Sequence, residues 1–401
     1  MNATATPVLP NVTRRVLQPD EALRIAPALA RSSDPGVWVY VYTDESTGWR
    51  LSVATHAPPG SGQLSLGGFR IAPESRTSRP GYDNEREAIE LAMGMEEKVY
   101  WSRVLRVGAP LARRSLDRIV GGKCVLLPTP DARIGAPRDR ALLDFALACL
   151  RDVEATGGIH VTTGQDLGHG TMSDGVTSSL AYMHERFDGS MLADTSRPTA
   201  EGNWHLLRGM LAGAGVPIGR ARIALLGAGN IGRHVIGRIR EAGAQVIALE
   251  PSPHVRMALA VAGVEAWDVD RKHALLTAPV DAVVVNAAGG SLDSESVRGI
   301  AANPTIRVVC GSENLAMPNA ADERVLLSAG KVYCHPELGG MMGYLTAVEE
   351  YLARRDGVTF DVATLLDAAT RLYEVGIAGT ERVVVGGYRE TFQDAVRKIF
   401  G

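Results

Sequence analysis

Three side chains in the N-terminal half could carry chemistry: Lys98, Lys123 and Asp166. Lys98 ends "LAMGMEEK", where Ala88, Leu91, Met95 and Lys98 recur at spacings of 3, 4 and 3. That period places its amine on the apolar face of a helix. Lys123 stands in "VGGKCVLLP", between a glycine pair and an apolar run that reads as a buried strand. Asp166, in "TTGQDLGHG", follows a short strand. Singly, each has an ordinary reading: a snorkelling lysine, a strand-end lysine in water, a turn or cap aspartate. As a set they suit oxidising an amine and hydrolysing the imine, or the reverse. That chemistry needs a cation for a carboxylate, a base for water and a proton shuttle to nitrogen. Two cations in a dry site lower one lysine's basicity toward neutrality, and adjacent glycines let a substrate approach the backbone.

A second constellation lies further on. "LLGAGNIG" sets Gly227, Gly229 and Gly232 in G-x-G-x-x-G spacing, with Asn230 and Ile231 inside the turn. A strand precedes the turn and a helix follows, as a dinucleotide pyrophosphate site requires. The next strand ends at Glu250, eighteen residues past Gly232, where a carboxylate can bond a ribose 2′-hydroxyl and repel a 2′-phosphate. NAD is therefore expected rather than NADP, with Arg256 nearby as the opposing signal.

Several elements must position these groups. "GVWVYVY" and "WRLSVAT" alternate around "TDESTG" as a hairpin, and "APPGSGQLSLGG" reads as loop. "YDNEREAIELAMGMEEKVYW" predicts a helix capped by Asp83 or Asn84; "RDRALLDFALACLRDVEATGG" predicts a second, and "IHVTT" a short strand. From about residue 203, strands alternate with helices, which implies a doubly wound parallel sheet. The expected organisation is α/β: a mixed substrate and oligomerisation domain over 1–202, a Rossmann-type cofactor domain over 203–345, and closing helices over 346–401.

Composition narrows the class. The 401 residues are 45% hydrophobic and 22% charged, with a net charge of −3 and interspersed signs. This offers no electrostatic footprint for nucleic acid or anionic lipid. Cys124, Cys149, Cys310 and Cys334 lack CxxC spacing and read as buried free thiols, with no metal set. No apolar run reaches the ~20 residues that span a bilayer, and "MNATATPVLPNVTRR" lacks a signal-peptide core. A cytoplasmic protein is expected.

The motifs resemble those of the Glu/Leu/Phe/Val amino-acid dehydrogenase family, nearest its leucine, valine and phenylalanine branch, over roughly residues 36–370. "LGGFR" (66–70) resembles that family's L-G-G-T-R, "LAMGMEEK" its G-M-x-x-K, "VGGK" its G-G-x-K and "TTGQDLG" its T-x-x-D-V-G. The resemblance implies that Lys98 binds the substrate carboxylate, Lys123 is the catalytic lysine and Asp166 the proton shuttle. It places Leu66, Gly67, Gly68 and Met95 around the substrate, and "LRGM" (207–210) on the helix entering the cofactor domain. Asn314 of "GSEN" and Ala287 and Ala288 of "NAAGG" come beside the nicotinamide ribose. It implies a homo-oligomer acting on an amino acid, its 2-oxo acid and ammonia, with an uncharged side chain suited to the apolar pocket.

The pattern also departs from the family. The 24 residues between the lysines are about twice the family's interval and include the basic insertion 103–118, read as a lid or subunit contact. Glu337 in "PELGGMMGY" takes the place of an asparagine that holds the amino-acid head group, which is unfavourable opposite a carboxylate. His169 alters the wall near Asp166. These features leave two alternatives: a relative acting on an unusual amine or imine in secondary metabolism, and a non-catalytic NAD-binding regulator.

Overall fold

The computed structural model describes residues 10–27, 29 and 36–401; residues 1–9, on which the expectation about a leader partly rests, lie outside them. The chain divides into two compact units. The first comprises 1–99, 114–194 and 347–360, and the second 100–113, 195–346 and 361–401. Two of the crossings fall inside helices, Asn84–Leu105 and Met341–Asp356.

The first unit is built on seven strands: β1 (Val12–Leu17), β2 (Trp38–Asp44), β3 (Arg50–Thr55), β4 (Leu64–Leu66), β5 (Phe69–Ile71), β6 (Ile119–Leu127) and β7 (His160–Val161). Their order is β1-β2-β3-β6-β4-β7, with β5 also against β6. β1, β2, β3 and β6 pair antiparallel, whereas β4 and β5 run parallel to β6. The predicted β2–β3 hairpin forms. β4 corrects the loop reading of "APPGSGQLSLGG": three residues carry little local signal, and pairing with β6 on one side and β7 on the other makes them a strand.

Alternation along β6 gives the sheet two unlike faces. Cys124 and Leu126 join Leu51, Val53, Phe69 and Ile71 in an apolar core under the helix Asp139–Gly157, which contributes Leu142, Leu143, Ala146 and Leu150. Gly121 and Lys123 take the opposite face, beneath the helix Asn84–Leu105. A Cβ at Gly121 would lie 2.2 Å from the Glu96 backbone nitrogen, and one at Gly122 would lie 2.1 Å from Ser65 Oγ. The glycine pair before Lys123 therefore lets a helix and a neighbouring strand press directly on β6.

Of the two candidate caps, Asp83 accepts the Arg86 N–H (2.8 Å). Asn84 is buried and donates to Ser52 Oγ (2.9 Å) and Val125 O (3.1 Å), pinning the helix to the sheet. The helix continues past Trp101 to Leu105 and so absorbs the start of the basic insertion. Pro110–Ser115 forms another short helix, with Val107, Ala109 and Ala112 buried. Within the second unit, Arg371 Nε donates to Leu105 O (2.9 Å) and Arg397 Nε to Tyr100 Oη (2.9 Å), so residues 100–105 are tied into it.

The second unit holds a six-stranded parallel sheet: β8 (Arg222–Leu226), β9 (Gln245–Leu249), β10 (Glu265–Trp267), β11 (Ala282–Val285), β12 (Val308–Gly311) and β13 (Val332–Tyr333). The order β10-β9-β8-β11-β12-β13 reverses direction between β8 and β11, the topological switch point where doubly wound sheets bind ligands. The helices Ser196–Gly213 and Arg371–Val385 pack closely, with a Cβ at Gly209 falling 2.2 Å from Tyr373 O. All four cysteines are buried thiols. Among the described residues no helix is long and apolar enough to cross a membrane.

Gly121→Ala forces backbone apart and should destabilise by about 1–3 kcal/mol in urea titration. Gly237→Ala, where a Cβ meets nothing within 4 Å in the helix Asn230–Glu241, should be neutral or stabilise by up to about 1 kcal/mol. Equal midpoints for the two variants would contradict the packing described.

Candidate functional site

The charged face of the first sheet carries a buried row of alternating charge. Lys123, 5% exposed, meets Asp166 Oδ2 through its Nζ. Arg70, 3% exposed, reaches the other oxygen of that carboxylate (3.2 Å) with one arm of its guanidinium and Glu87 (2.5 Å) with the second. Arg76 closes the row on Glu87 at 3.4 Å. The backbone N–H of Leu167 also donates to Asp166 (2.7 Å).

Each member arrives from a different element for a readable reason. β6 presents Lys123 opposite Ala54 of β3, and the Cys124 N–H donates to Gly68 O (3.2 Å). A Cβ at Gly68 would sit 2.9 Å from Lys123 Nζ, so the amine occupies space that only glycine leaves. In β5, Phe69 and Ile71 point into the apolar core, and alternation turns Arg70 to the Lys123 face. The loop after β7 runs beside β5, with Phe69 N–H on Gly164 O (2.9 Å) and Ile71 N–H on Leu167 O (3.0 Å), which brings Asp166 into place.

Burial is the largest influence on Lys123 and lowers its pKa; Asp166 opposes this and the Arg70 charge adds to it. Burial alone would raise the Asp166 pKa, but Lys123 and Arg70 outweigh it and hold the carboxyl below the usual carboxylate range. His169 has a structural task. Its Nε2 lies 2.8 Å from Phe69 O and its Nδ1 3.0 Å from Ser179 Oγ, a pattern met by a neutral ring donating to the carbonyl and accepting from the hydroxyl. Burial lowers its pKa, which favours that neutral form. The ring thus braces the loop that carries Asp166.

Lys98 is buried, 6% exposed, on the helix whose Glu96 carboxylate accepts the Gly121 N–H (2.5 Å). The turn bearing Lys98 therefore abuts β6 close to Lys123. Leu66 and Met95 are buried in the same unit, and Gly67 threads between β4 and β5 with its Cβ position 2.0 Å from Gly122 O. Trp101 is fully buried, in keeping with core packing. Arg70, the last residue of "LGGFR", and Glu87 have no task assigned by the motifs; an arginine inside the apolar "GFRIA" was the available signal.

The second unit assembles the other constellation at its switch point. Gly227 has φ +90°, and a Cβ there would fall 2.8 Å from Asn286 O and the Ala287 backbone, so glycine lets the turns after β8 and β11 meet. A Cβ at Gly232 would lie 2.1 Å from Gly227 O, which packs the helix Asn230–Glu241 onto the turn. At Gly229 nothing lies within 4 Å of the Cβ position, and Gly229 and Asn230 are exposed while Ile231 is half-buried. This open turn at a helix N-terminus fits a pyrophosphate. Glu250, buried, accepts N–H bonds from Ala228 (2.9 Å) and Ser252 (3.0 Å). Arg256 is committed to the carbonyls of Glu250 (2.7 Å) and Pro251 (2.8 Å) and to Asp268 (2.6 Å).

Ala287 and Ala288 are exposed after β11, and Asn314 is half-buried after β12. Two neighbours that the motifs did not single out shape these loops. Asn286 Oδ1 accepts from Asn203 Nδ2 (3.1 Å) and Ser312 Oγ (2.8 Å). Glu313 accepts from Ala287 N–H (3.0 Å) and Ser291 N–H (2.9 Å), and burial raises its pKa. Glu337 is half-buried in the helical turn Pro336–Gly339, two residues after His335, which lies 3.2 Å from Glu323.

No protein-family model matches the sequence, and no curated protein matches it at the level of sequence. The fold, however, is that of amino-acid dehydrogenases of known structure. L-tryptophan dehydrogenase from Nostoc punctiforme superposes with a TM-score of 0.61 at 17% identity, over 90% of this chain and 93% of that one. The hetero-hexameric glutamate dehydrogenase from Thermus thermophilus, in a leucine-bound form, gives 0.62 at 16% identity, over 97% and 86%. A Plasmodium falciparum glutamate dehydrogenase gives 0.62 at 12%, over 94% and 84%. The family resembled by the motifs and the structures resembled by the fold thus coincide.

Asp166→Asn leaves Lys123 and Arg70 buried with one anion fewer and should cost about 3–5 kcal/mol in denaturant titration near pH 7. Because the folded-state pKa of Asp166 is depressed, its contribution is present above its unfolded value of about 4 and lost as pH falls through the lower folded value. The gap between wild type and variant should therefore shrink in acid. A gap that widens there would contradict the charge pairing.

Proposed function

We propose that this chain is an NAD-dependent L-amino-acid dehydrogenase related to the Glu/Leu/Phe/Val dehydrogenase family. It converts an amino acid with an apolar or aromatic side chain to its 2-oxo acid and ammonia, and catalyses the reverse reductive amination. The observation that carries this reading is the buried Lys123–Asp166 pair beside the Gly67–Gly68 turn. The shared fold supports it.

Lys98, buried on its helix, binds the substrate carboxylate. Leu66 and Met95 favour an uncharged side chain. NAD, when bound, supplies the acceptor for the hydride on the α-carbon. Lys123 takes a proton from the water that adds to the imine carbon. As the C–N bond breaks, Asp166 carries a proton to the nitrogen, which leaves as ammonia. This division requires the amine to be neutral part of the time, which its burial favours.

The open turn at Gly229 and the helix behind it fit the pyrophosphate, and Glu250, after the next strand, is assigned to the adenosine ribose hydroxyls. Arg256, spent on Asp268 and two carbonyls, is not positioned to favour a 2′-phosphate, so NAD is the cofactor of choice. Ala287, Ala288 and Asn314 flank the nicotinamide ribose. The working form is a cytoplasmic homo-oligomer that takes small molecules rather than nucleic acid or membrane as partners. Glu337, in place of the family's asparagine, favours one second reading: a substrate whose head group departs from an ordinary amino acid.

Lys123→Ala should lower turnover by at least about 100-fold while NADH binding, followed by fluorescence, is kept. Both should be assayed with leucine, valine, phenylalanine and tryptophan and with NAD and NADP side by side. Near-normal turnover in the variant would reject the assignment of Lys123, and activity confined to other amines would select the second reading.

A further inference from the structure

We propose that Arg70 is the positioning residue of this site: gripped from behind by Glu87, it fixes the Asp166 carboxylate against Lys123 and keeps that amine available as a base. The inference rests on the reading of Lys123 and Asp166 given above and assigns a task to a residue outside it.

The geometry is specific. One guanidinium arm holds Asp166 Oδ1 (3.2 Å) and the other holds Glu87 Oε1 (2.5 Å), while Lys123 takes Asp166 Oδ2. Asp166 is thus held at both oxygens and cannot rotate away without leaving a buried cation unpaired. An aspartate facing Lys123 alone would form a simple ion pair, which stabilises the protonated amine and works against a base. A second buried cation on the same carboxylate divides its charge and repels the ammonium, tilting Lys123 toward its neutral form. The direction of the Arg70 influence on Lys123 agrees.

Glu87 is needed because a guanidinium buried beside two other charges is stable only with its own counter-ion. Arg76 on the far side of Glu87 (3.4 Å) limits the negative charge that reaches the amine. Around this row Glu96 accepts the Gly121 N–H, Lys98 adds a buried cation on the same helix, the Tyr82 hydroxyl lies beside Glu87 and donates to Asn84 Oδ1 (3.1 Å), and burial favours the neutral form of His169 in its brace. Arg70 is the guanidinium that touches the shuttle itself.

The test reads the basicity of Lys123 directly and again through turnover. Cyanate carbamylates neutral amines and is small enough to enter; the rate at Lys123, followed by peptide mass spectrometry across pH, reports its midpoint whether or not the protein turns over. Arg70→Gln should raise that midpoint by about one pH unit or more, and Arg70→Lys, which keeps the charge, should bring it most of the way back. The double variant Arg70→Gln, Glu87→Gln removes the pair together and guards against misfolding of the single one. It should show a smaller rise of the same sign. In active protein the acid limb of the kcat profile should move to higher pH in parallel. An unmoved or lowered Lys123 midpoint in folded Arg70→Gln overturns the inference even if wild type is a vigorous dehydrogenase. A raised midpoint in a protein with no dehydrogenase activity upholds the electrostatic role and rejects the functional reading instead.

Discussion

Removing an ammonium or a carboxylate from water costs several kcal/mol per ion unless each meets counter-charge and hydrogen bonds. The first unit is organised by that constraint. Lys123 and Asp166 are tolerable in its interior because Arg70 and Glu87 extend the pair into a row of alternating charge, and because Leu167 N–H completes the carboxylate. Local choices that look arbitrary in isolation serve the row. Gly68 leaves room for the amine, His169 clips the loop to β5, and Gly121 lets the helix Asn84–Leu105 press directly on β6.

The second unit solves a different problem by different means. Its anion site is made of backbone amides and empty space rather than paired side-chain charges. Gly227 and Gly232 are tight where the turn meets the sheet and helix, whereas Gly229 is open where a ligand would approach. The carboxylates Glu250 and Glu313 are used on the backbone, each accepting two N–H bonds that freeze the loops after β8, β9 and β11. Its buried carboxylates are met by backbone N–H groups rather than by opposite side-chain charges. The first unit instead sets its side-chain charges against one another.

Much of this was legible in the sequence because period and punctuation are local. The strand at Lys123, the Gly158-terminated helix Asp139–Gly157, the glycine turn and every strand from β11 to β13 announce themselves within a dozen residues. What the sequence withheld depends on distant partners. β4 is a strand because β6 and β7 flank it. Arg70 closes the motif "LGGFR" but has no task there until the chain brings Asp166, 96 residues on, and Glu87 to its two ends. The choice between Asp83 and Asn84 as cap was settled by burial: the sheet offered Asn84 two partners, which left the exposed end to Asp83.

The helix Asn84–Leu105 carries charged groups at both ends of one face. Glu87, Leu91, Met95 and Lys98 follow one another at spacings of 4, 4 and 3, so they form a single stripe. Eleven residues separate Glu87 from Lys98, roughly 16 Å along the axis. One end of the stripe anchors Arg70 and the other carries the second lysine, with apolar side chains between. Since Asn84 fixes the helix to β3 and β6 and Glu96 fixes it again at Gly121, the spacing of the charged groups is set by a rigid rod held at two points. A shift of one residue in that helix would turn Glu87 and Lys98 away from the face by about 100° and strand Arg70 and Lys123 without their surroundings. The register of this helix on β6 is therefore a condition for the site that no single side chain can replace.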